Sequence, residues 1–307
     1  MRVLVTGAGG FVGQHLCRSL VEQGDATVAL GGPAEPGPDG AVDITDARAL
    51  RRAIEAAQPD AVVNLAGFAS VASSQRDPGG TFAVNTVGAV NLLAAVQEVA
   101  PRARVLLIGS SEVYGAVPSG SRAGEDSPLR PLSIYASSKL AAEVAGFQFH
   151  RGGGVAVIGA RPFNHIGKGQ RQNFVVPSFA AQLVAVRRGA AEPVLRVGNL
   201  EAVRDFSHVA DVVDAYRLLL HRGEPGEAYN ICSGEGRSIR SVVDRLIALA
   251  GVEVRIELDP ARLRPSDLPY LVGDPGKIRE LGWKPSRTVD DALRAALAQA
   301  EHEAERA

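Results

Sequence analysis

The 307-residue chain is 46% hydrophobic, which is enough to bury a large core, and its formal net charge of −1 excludes a strongly basic surface for nucleic acid or an anionic membrane. Cys17 and Cys232 are the only cysteines and stand far apart without metal-type spacing, so we interpret both as buried structural residues. No unbroken apolar run reaches about 18 residues, so we expect a cytoplasmic protein with neither a signal peptide nor a membrane span.

The chain begins with a pattern that is typical of a phosphate-binding turn. Residues 2–6 are predicted to form a buried strand, residues 7–13 a glycine turn, and residues 14–23 a helix with apolar positions at helical spacing. Glycines let the backbone approach a pyrophosphate closely, and its negative charge then lies at the positive N-terminus of the helix. We therefore predict a bound dinucleotide, with contacts from Gly7, Gly10, Phe11, Val12 and Gly13.

Strands and helices alternate through the first half of the chain. Strands are predicted at 26–30, 60–65, 104–109 and 154–160, and helices near 46–57, 79–99 and 133–151. This alternation indicates a doubly wound parallel sheet covered on both faces, which is the arrangement of a Rossmann-type α/β unit.

The regular alternation weakens after residue 165. Helices are predicted near 173–188, 208–222, 238–250, 275–281 and 288–304, and strands at 194–197 and 228–231. We therefore expect a dinucleotide-binding domain at 1–165 and a smaller C-terminal α/β substrate lobe at 166–307. Some of the later chain is expected to return to the first domain.

Candidate site residues follow the predicted strands. Ligands of open parallel sheets bind beyond the carboxyl ends of the strands, so residues at these ends are expected to line the site. Gly7 follows the first strand, while Leu65, Ala66 and Gly67 close the third; Ser110 and Glu112 follow the fourth, and Arg161 and Asn164 the fifth. The Ser110 hydroxyl is suited to hold a substrate oxygen, although a turn or helix-cap role is an equally ordinary interpretation.

Tyr135 and Lys139 are the most informative pair of residues in the chain. A separation of four residues on a helix places the phenol and the ammonium on one face. A neighbouring cation stabilises the phenolate, so we predict a lowered pKa for Tyr135 and a role as general acid. The alternative interpretation is a solvated helix face.

Six motifs resemble the extended short-chain dehydrogenase/reductase family that acts on nucleotide sugars. They lie at residues 6–13, 110–115, 135–139, 161–164, 204–206 and 264–267, so the resemblance runs through nearly the whole chain. It implies bound NAD(P), an N-terminal Rossmann domain and a C-terminal nucleotide-sugar lobe. It also implies a homodimer built on the helices that carry Tyr135 and Lys139.

Residues 161–167, 197–206 and 264–267 look most like the branch of the family that handles GDP-linked 6-deoxyhexoses. This branch contains GDP-6-deoxy-4-ketohexose reductases that form GDP-D-rhamnose, and GDP-mannose 4,6-dehydratases; the short chain favours the reductases. Lys168 departs from the family, which usually has proline there. The resemblance implies substrate contacts from Ser110, Glu112, Tyr135, Asn164, Val175, Val176, Arg204 and Arg264. The two arginines suit the substrate diphosphate, because guanidinium binds phosphate oxygens in a bidentate manner.

The reaction implied by the resemblance is reduction of a C4 ketone. The reduced nicotinamide passes hydride to C4, Tyr135 protonates the developing alkoxide, Ser110 holds that oxygen, and Lys139 lowers the phenol pKa and binds the nicotinamide ribose. In the dehydratases a glutamate at the place of Glu112 removes the C5 proton, yet similar reductases keep it. Dehydration, a redox-neutral epimerisation and a non-catalytic nucleotide-sugar sensor therefore remain open.

The remaining predictions concern the cofactor. Asp43 and Ile44 match an adenine contact by family position, Asn85 matches a residue near the cofactor, and Arg161 is assigned to the cofactor as well. Helix capping near residue 43 and an ordinary helix position for Asn85 are the alternatives. Residues 29–32 supply neither an acid for the ribose 2′-hydroxyl nor an arginine for a 2′-phosphate, so NAD and NADP both remain open. The six histidines lack metal spacing, and no metal is predicted.

Overall fold

The computed structural model describes residues 1–263 and 268–306. Its strands, in chain order, are β1 (Arg2–Thr6), β2 (Ala26–Leu30), β3 (Ala61–Asn64), β4 (Arg104–Ile108), β5 (Ala156–Pro162), β6 (Asn164–Ile166), β7 (Val194–Val197), β8 (Val203–His208), β9 (Ala228–Ile231), β10 (Gly236–Ser238), β11 (Arg255–Leu258) and β12 (Tyr270–Leu271). A six-stranded parallel sheet has the order β2-β1-β3-β4-β5-β9. This confirms the predicted Rossmann-type α/β fold.

The helices cover this sheet and form the core of the second lobe. They are α1 (Phe11–Glu22), α2 (Ala47–Ala57), α3 (Val71–Arg76), α4 (Pro78–Phe82), α5 (Gly88–Val99), α6 (Ile134–Gly153), α7 (Val175–Arg187), α8 (Val209–Arg222), α9 (Ile239–Ala250), α10 (Gly276–Glu280) and α11 (Val289–Arg306). Side-chain caps fix several starts: Asp46 accepts the N–H groups of Arg48 and Ala49 at α2, and Ser133 accepts that of Ala136 at α6.

Alternation along the strands supplies a core to each face of the sheet. In β1 the side chains of Val3 and Val5 pack on the side of α1 and α8, whereas Leu4 packs on the side of α2 and α5. Successive residues of a strand point to opposite faces, so an unbroken apolar strand buries both of its sides. The two resulting cores fix the sheet and leave its carboxyl edge for the site.

Part of the chain beyond residue 165 joins the N-terminal sheet. β9 pairs with β5, and α8 packs against α1. The Trp283 indole N–H donates to the Asp211 carbonyl at 3.0 Å, which holds the segment after α10 against α8. Segments beyond residue 165 therefore contribute to the N-terminal sheet as well as to the second lobe. The domain boundary at residue 165 remains a prediction.

The second lobe rests largely on strands that the sequence patterns did not reveal. β8 pairs with β10, β12 and β6, while β7 pairs with β11, and α7, α9 and α11 bury a common apolar core. The pairing of β6 with β8 is parallel and brings Asn164 opposite Phe206. Short strands whose partners lie far along the chain leave little local periodicity, which is why β6, β8, β10, β11 and β12 were not predicted.

One described stretch, Pro78–Val99, has the length and hydropathy of a membrane span. Polar residues interrupt this stretch, so it contains no unbroken apolar run of about 18 residues. In the fold it comprises α4, the π-helical turn Ala83–Val87 and α5, and α5 packs between α2 and α6. Burial against these helices accounts for its apolar composition equally well, so the finding is weak evidence for a membrane.

Candidate active site

The glycine turn has the shape that a pyrophosphate requires. Gly7 has φ of +72°, and a Cβ there would lie 2.7 Å from the Ala66 nitrogen. A Cβ on Gly13 would overlap the Gly7 carbonyl oxygen. Gly10 precedes α1 and provides no side-chain cap, so the first N–H groups of the helix face the turn. Side chains would fill this cradle, and the predicted dinucleotide contacts from this segment therefore fit the structure.

The segment after β3 continues the cradle toward the helix that carries Lys139. The Thr6 hydroxyl donates to Asn64 Oδ1 at 2.7 Å, which ties the ends of β1 and β3 together. A Cβ on Gly67 would lie 2.8 Å from Asn85 Oδ1 and 3.3 Å from Lys139 Nζ. A line of small residues thus runs from the glycine turn to the buried ammonium, where a dinucleotide would extend from its pyrophosphate to its nicotinamide.

Asn85 connects this segment to α6. Its Oδ1 accepts the Phe68 N–H at 2.8 Å, and its Nδ2 donates to Ser138 Oγ at 2.9 Å. The residue is buried within the π-helical turn Ala83–Val87, a type of helix irregularity that occurs frequently at functional sites. Asn85 therefore lies near the predicted cofactor path but has its amide engaged by protein groups.

Tyr135, Ser110 and Glu112 meet at the end of β4. The Ser110 hydroxyl lies close enough to the Tyr135 phenol to lower its pKa, and the Glu112 carboxylate lies close enough to raise it. Ser110 Oγ also accepts the Glu112 N–H at 3.2 Å, so the serine both caps the short turn Ser111–Tyr114 and faces the tyrosine. The two interpretations of Ser110, as a cap and as a site hydroxyl, are compatible.

The electrostatics of the tyrosine differ from the sequence-based expectation. Burial raises the pKa of Tyr135 to about 12; the nearby Ser110 hydroxyl opposes this shift, and Glu112 adds to it. Burial also lowers the pKa of Lys139 to about 8, and its Nζ donates to the Ile108 carbonyl at 2.9 Å. The prediction of a lowered phenol pKa is wrong for the protein by itself, because desolvation of the phenol is the largest influence on its pKa. Tyr135 therefore keeps its proton at neutral pH, as a proton donor must.

The hydrogen bonds of Arg161 do not fit its predicted contact with the cofactor. Its Nε and Nη2 donate to the two Glu143 carboxylate oxygens at 3.0 and 2.6 Å, and its Nη1 donates to Tyr114 Oη and the Glu125 carbonyl, both at 2.9 Å. The guanidinium is buried and used by protein acceptors, so it does not fit the predicted role in cofactor binding. Glu143 and Tyr114 were missed from the sequence, although Glu143 follows Lys139 by the same four residues that separate Lys139 from Tyr135.

The two residues predicted to contact adenine differ in their exposure. Asp43 is exposed and accepts the Thr45 N–H and hydroxyl, at 2.9 and 2.7 Å. The Ile44 side chain is buried against Gly88, so a contact of Ile44 with adenine would have to come from its backbone. The backbone around Asp43 remains a predicted adenine contact.

Strand β6 and the loop that follows it lie against the glycine turn and the start of α1. The Phe11 and His165 rings stack with centroids 6.0 Å apart, and His15 Nε2 lies 2.6 Å from the Lys168 carbonyl oxygen. Arg171 of this loop forms an ion pair with Glu35, whose carboxylate would lie 3.9 Å from a Cβ on Gly10. The sequence did not reveal Glu35, because it lies five residues beyond the end of β2 rather than at it.

The predicted substrate contacts differ in how exposed the structure leaves them. Asn164 is exposed at the start of β6, and Arg204 is buried with its Nη1 donating to the Val203 carbonyl at 2.9 Å. Val176 is buried in the core of the second lobe, so a contact of Val176 with substrate would have to come from its backbone, whereas the Val175 side chain is half-buried beside it. Arg264 lies outside the described residues. Arg204, Asn164, Val175 and Val176 remain predicted contacts.

An open cavity of about 620 Å³ lies in the second lobe between β7, β11 and the segment that leads into β8. Its lining is mostly apolar with a few polar groups, and comprises Val197, Gly198, Asn199, Leu200, Glu201, Ile256, Leu258 and Leu263. The sequence marked this region only as part of the motif at 197–206. An apolar wall with a few polar groups is the usual composition of a small-molecule site.

Comparisons with known proteins identify related sequences and folds. The family model described as GDP-mannose 4,6 dehydratase matches residues 40–296. A GDP-6-deoxy-D-mannose reductase from Pseudomonas aeruginosa is 37% identical over 298 residues, which cover 96% of this chain and 96% of that protein.

Solved structures give the same picture. The structure of RMD from Pseudomonas aeruginosa complexed with NADPH has a TM-score of 0.89 at 36% identity and covers 98% of this chain and 99% of that one. UDP-glucose 4-epimerase of Thermus thermophilus, in complex with NAD, has a TM-score of 0.87 at 31% identity and covers the same shares of both chains.

Proposed function

The chain belongs to the GDP-mannose 4,6-dehydratase family of extended short-chain dehydrogenases/reductases, and we propose that it reduces the C4 ketone of a GDP-4-keto-6-deoxyhexose with NAD(P)H. The product is a GDP-6-deoxyhexose of the GDP-D-rhamnose type. The observation that carries this proposal is the meeting of Tyr135 and Ser110 beside Lys139 at the end of the predicted cofactor path. Likeness to a GDP-6-deoxy-D-mannose reductase over nearly the full length of both chains supports it.

The protein groups divide the work of the reduction. A bound reduced nicotinamide supplies the hydride that C4 accepts. Tyr135 gives its proton to the oxygen that becomes an alkoxide, and Ser110 donates a hydrogen bond to the same oxygen. Lys139 balances the negative charge left on the phenol and binds the nicotinamide ribose. The raised pKa of Tyr135 favours a protonated donor at neutral pH.

We propose that the GDP portion occupies the second lobe. The apolar wall of the 620 Å³ cavity suits the faces of a guanine base, while Asn199 and Glu201 offer polar groups to its edge. Arg204 is the proposed partner of the diphosphate, as is Arg264. In this proposal the sugar lies between the cavity and Tyr135.

Dehydration is the second candidate, and the position of Glu112 favours it. A carboxylate beside Tyr135 is suitably placed to remove a C5 proton, which reduction at C4 does not require. Glu112→Gln separates the two reactions. A reductase retains appreciable turnover in this variant, whereas near-complete loss identifies proton abstraction at C5 and supports dehydration or epimerisation.

The reaction assay tests the proposal directly. The protein is incubated with GDP-4-keto-6-deoxymannose and either NADH or NADPH, and the nucleotide sugars are identified by mass spectrometry and NMR. Consumption of reduced cofactor with formation of a GDP-6-deoxyhexose is expected. Conversion of GDP-mannose without added reductant would identify a dehydratase, isomer formation without net cofactor use an epimerase, and binding alone a sensor.

We also propose a cytoplasmic homodimer that buries the outer surface of α6. Val144 on α6, Leu132 before it and Val87 in the π-helical turn are exposed apolar residues, which supports an interface there. Light scattering after size exclusion is expected to give twice the mass of 32.1 kDa. Val144→Asp is expected to give monomers, and a wild-type monomer would contradict the proposal.

A further inference from the structure

Three residues line one face of α6 at the same spacing. Tyr135, Lys139 and Glu143 follow one another at intervals of four residues, so they form a row along the helix. The first two lie in the proposed catalytic site. Glu143 is only 3% exposed and lies one turn beyond Lys139, away from the site opening.

Glu143 fastens this row to the central sheet. Its two carboxylate oxygens accept Nε and Nη2 of Arg161, at 3.0 and 2.6 Å, in a bidentate pair. Arg161 lies near the carboxyl end of β5 and is 4% exposed. A bidentate pair fixes orientation as well as distance, because both groups are planar. A buried pair of this kind adds little net stability compared with packed apolar residues, so its effect on geometry is the more informative one.

The same guanidinium reaches the segment that carries Ser110 and Glu112. Arg161 Nη1 donates to Tyr114 Oη at 2.9 Å, and the Tyr114 hydroxyl donates to Asn230 Oδ1 at 2.6 Å. Tyr114 ends the turn Ser111–Tyr114 that directly follows Ser110. A Cβ on Gly109 would lie 3.3 Å from Glu143 Oε2, so the carboxylate also lies close to the residue before Ser110.

We propose that Glu143, Arg161 and Tyr114 are positioning residues that set the Tyr135 hydroxyl against Ser110. They join α6, the end of β5 and the turn after β4, which are the segments on which the site depends. None of the three is proposed to touch substrate. The inference deepens the proposed function and rests on it for the choice of substrate.

The decisive variant is the apolar replacement Glu143→Met with Arg161→Met. Removing both charges leaves no buried ion unpaired, so the variant is expected to fold with a melting temperature close to that of the wild type. Its kcat is expected to fall about 10-fold or more, since a displacement of about 1 Å at a reacting group can cost about 100-fold. KM and the Kd of the dinucleotide are expected to change less than about 2-fold, because the glycine turn and the second lobe are untouched.

Matched controls separate positioning from general damage. Arg51→Met with Glu55→Met removes an exposed ion pair on α2 and is expected to leave kcat and KM unchanged. Tyr114→Phe keeps the Glu143–Arg161 pair but loses the link to the turn, and we expect about a 3-fold lower kcat with unchanged KM. If the double variant does not fold, Arg161→Lys decides by the same comparison of kcat with KM.

Two results would overturn the inference. One is a folded double variant, or Arg161→Lys, with wild-type kcat, whatever its stability. The other needs no catalysis: crystal structures of the variant and of the wild type in which the Tyr135 and Ser110 hydroxyls have the same separation. A wild type that is inactive toward every nucleotide sugar would contradict the proposed function alone, and the crystal structure would still decide the positioning role.

Discussion

The cofactor side and the substrate side of the site are built in different ways. Around the glycine turn the important surfaces are backbone, and the close approaches of Gly7 to Ala66 and of Gly13 to Gly7 leave no room for side chains. In the second lobe the proposed contacts are side chains on short strands, such as Arg204 on β8, and the cavity is open. Where these regions meet, at Tyr135, function depends on a few hydrogen bonds between side chains. We therefore expect substitutions at Tyr135 to change the reaction rate. Substitutions in the glycine turn are expected to change the affinity for the cofactor, and substitutions in the second lobe the affinity for the nucleotide.

The largest effect is expected at the junction. Tyr135→Phe keeps the ring but removes the proton donor, so kcat is expected to fall by about 10²-fold or more with little change in nucleotide-sugar affinity. Steady-state kinetics with saturating cofactor measure this. Tyr270→Phe, a tyrosine of β12, is the control and is expected to behave as the wild type. A Tyr135→Phe variant that retains most of its kcat would remove the tyrosine from the mechanism.

The second prediction concerns the backbone-built side. Gly10→Asp places a carboxylate at the N-terminus of α1, where it would repel the pyrophosphate, so dinucleotide affinity is expected to fall on the order of 10²-fold. Fluorescence titration with NADH and NADPH measures it. Gly10→Ala adds only a Cβ, 3.3 Å from the Gly7 carbonyl oxygen, and controls for size. Equal affinities for Gly10→Asp and the wild type would place the cofactor elsewhere.

The third prediction concerns the side-chain-built lobe. Arg204→Ala is expected to weaken binding of GDP by about 1.5–3 kcal/mol through loss of charged hydrogen bonds, with cofactor affinity unchanged. Isothermal titration with GDP measures the change, and a thermal melt checks that the variant is folded. Arg237 lies opposite Arg204 in the pairing of β10 with β8 but is exposed, so Arg237→Ala is the matched control. Loss of dinucleotide binding in Arg204→Ala would contradict the division between the two regions.

The smallest expected effect concerns the choice between NADH and NADPH. The Glu35 carboxylate lies beside the glycine turn and would repel a 2′-phosphate, so Glu35→Gln is expected to raise the affinity for NADPH relative to NADH by several-fold. The ratio of the two Kd values measures it, with Glu22→Gln as an exposed control on α1. An unchanged ratio would show that Glu35 does not face the adenosine ribose.

The same contrast explains what the sequence could predict. Strands β2, β7 and β9 lie where they were predicted, because buried strands are short apolar runs between turn residues. The glycine turn and the Tyr135–Lys139 pair were found from spacing within one helix or turn. By contrast, the parallel pairing of β6 with β8 joins residues about 40 positions apart and has no local pattern.

Two errors at the site have a common physical origin. The motif at 161–164 suggests a cofactor contact for Arg161 but contains no sign of its ion pair with Glu143. Glu143 lies on another element, so no spacing within the motif indicates it. The direction of the Tyr135 pKa was wrong because it depends on burial, which the helix spacing does not report. Spacing shows which groups share a face, whereas charge partners and desolvation depend on the tertiary packing.

The central claim is that hydride reaches C4 while Tyr135 supplies the proton, and isotope transfer tests this most directly. The reaction is run in ordinary water with reduced cofactor carrying deuterium at the transferable position, and the product is examined by NMR and mass spectrometry. The account predicts one deuterium at C4 of the GDP-6-deoxyhexose for each reduced cofactor consumed. A parallel reaction in deuterium oxide with unlabelled cofactor is predicted to leave C5 free of solvent deuterium. Absence of label at C4, together with exchange at C5, would contradict reduction and support chemistry that begins with proton abstraction by Glu112.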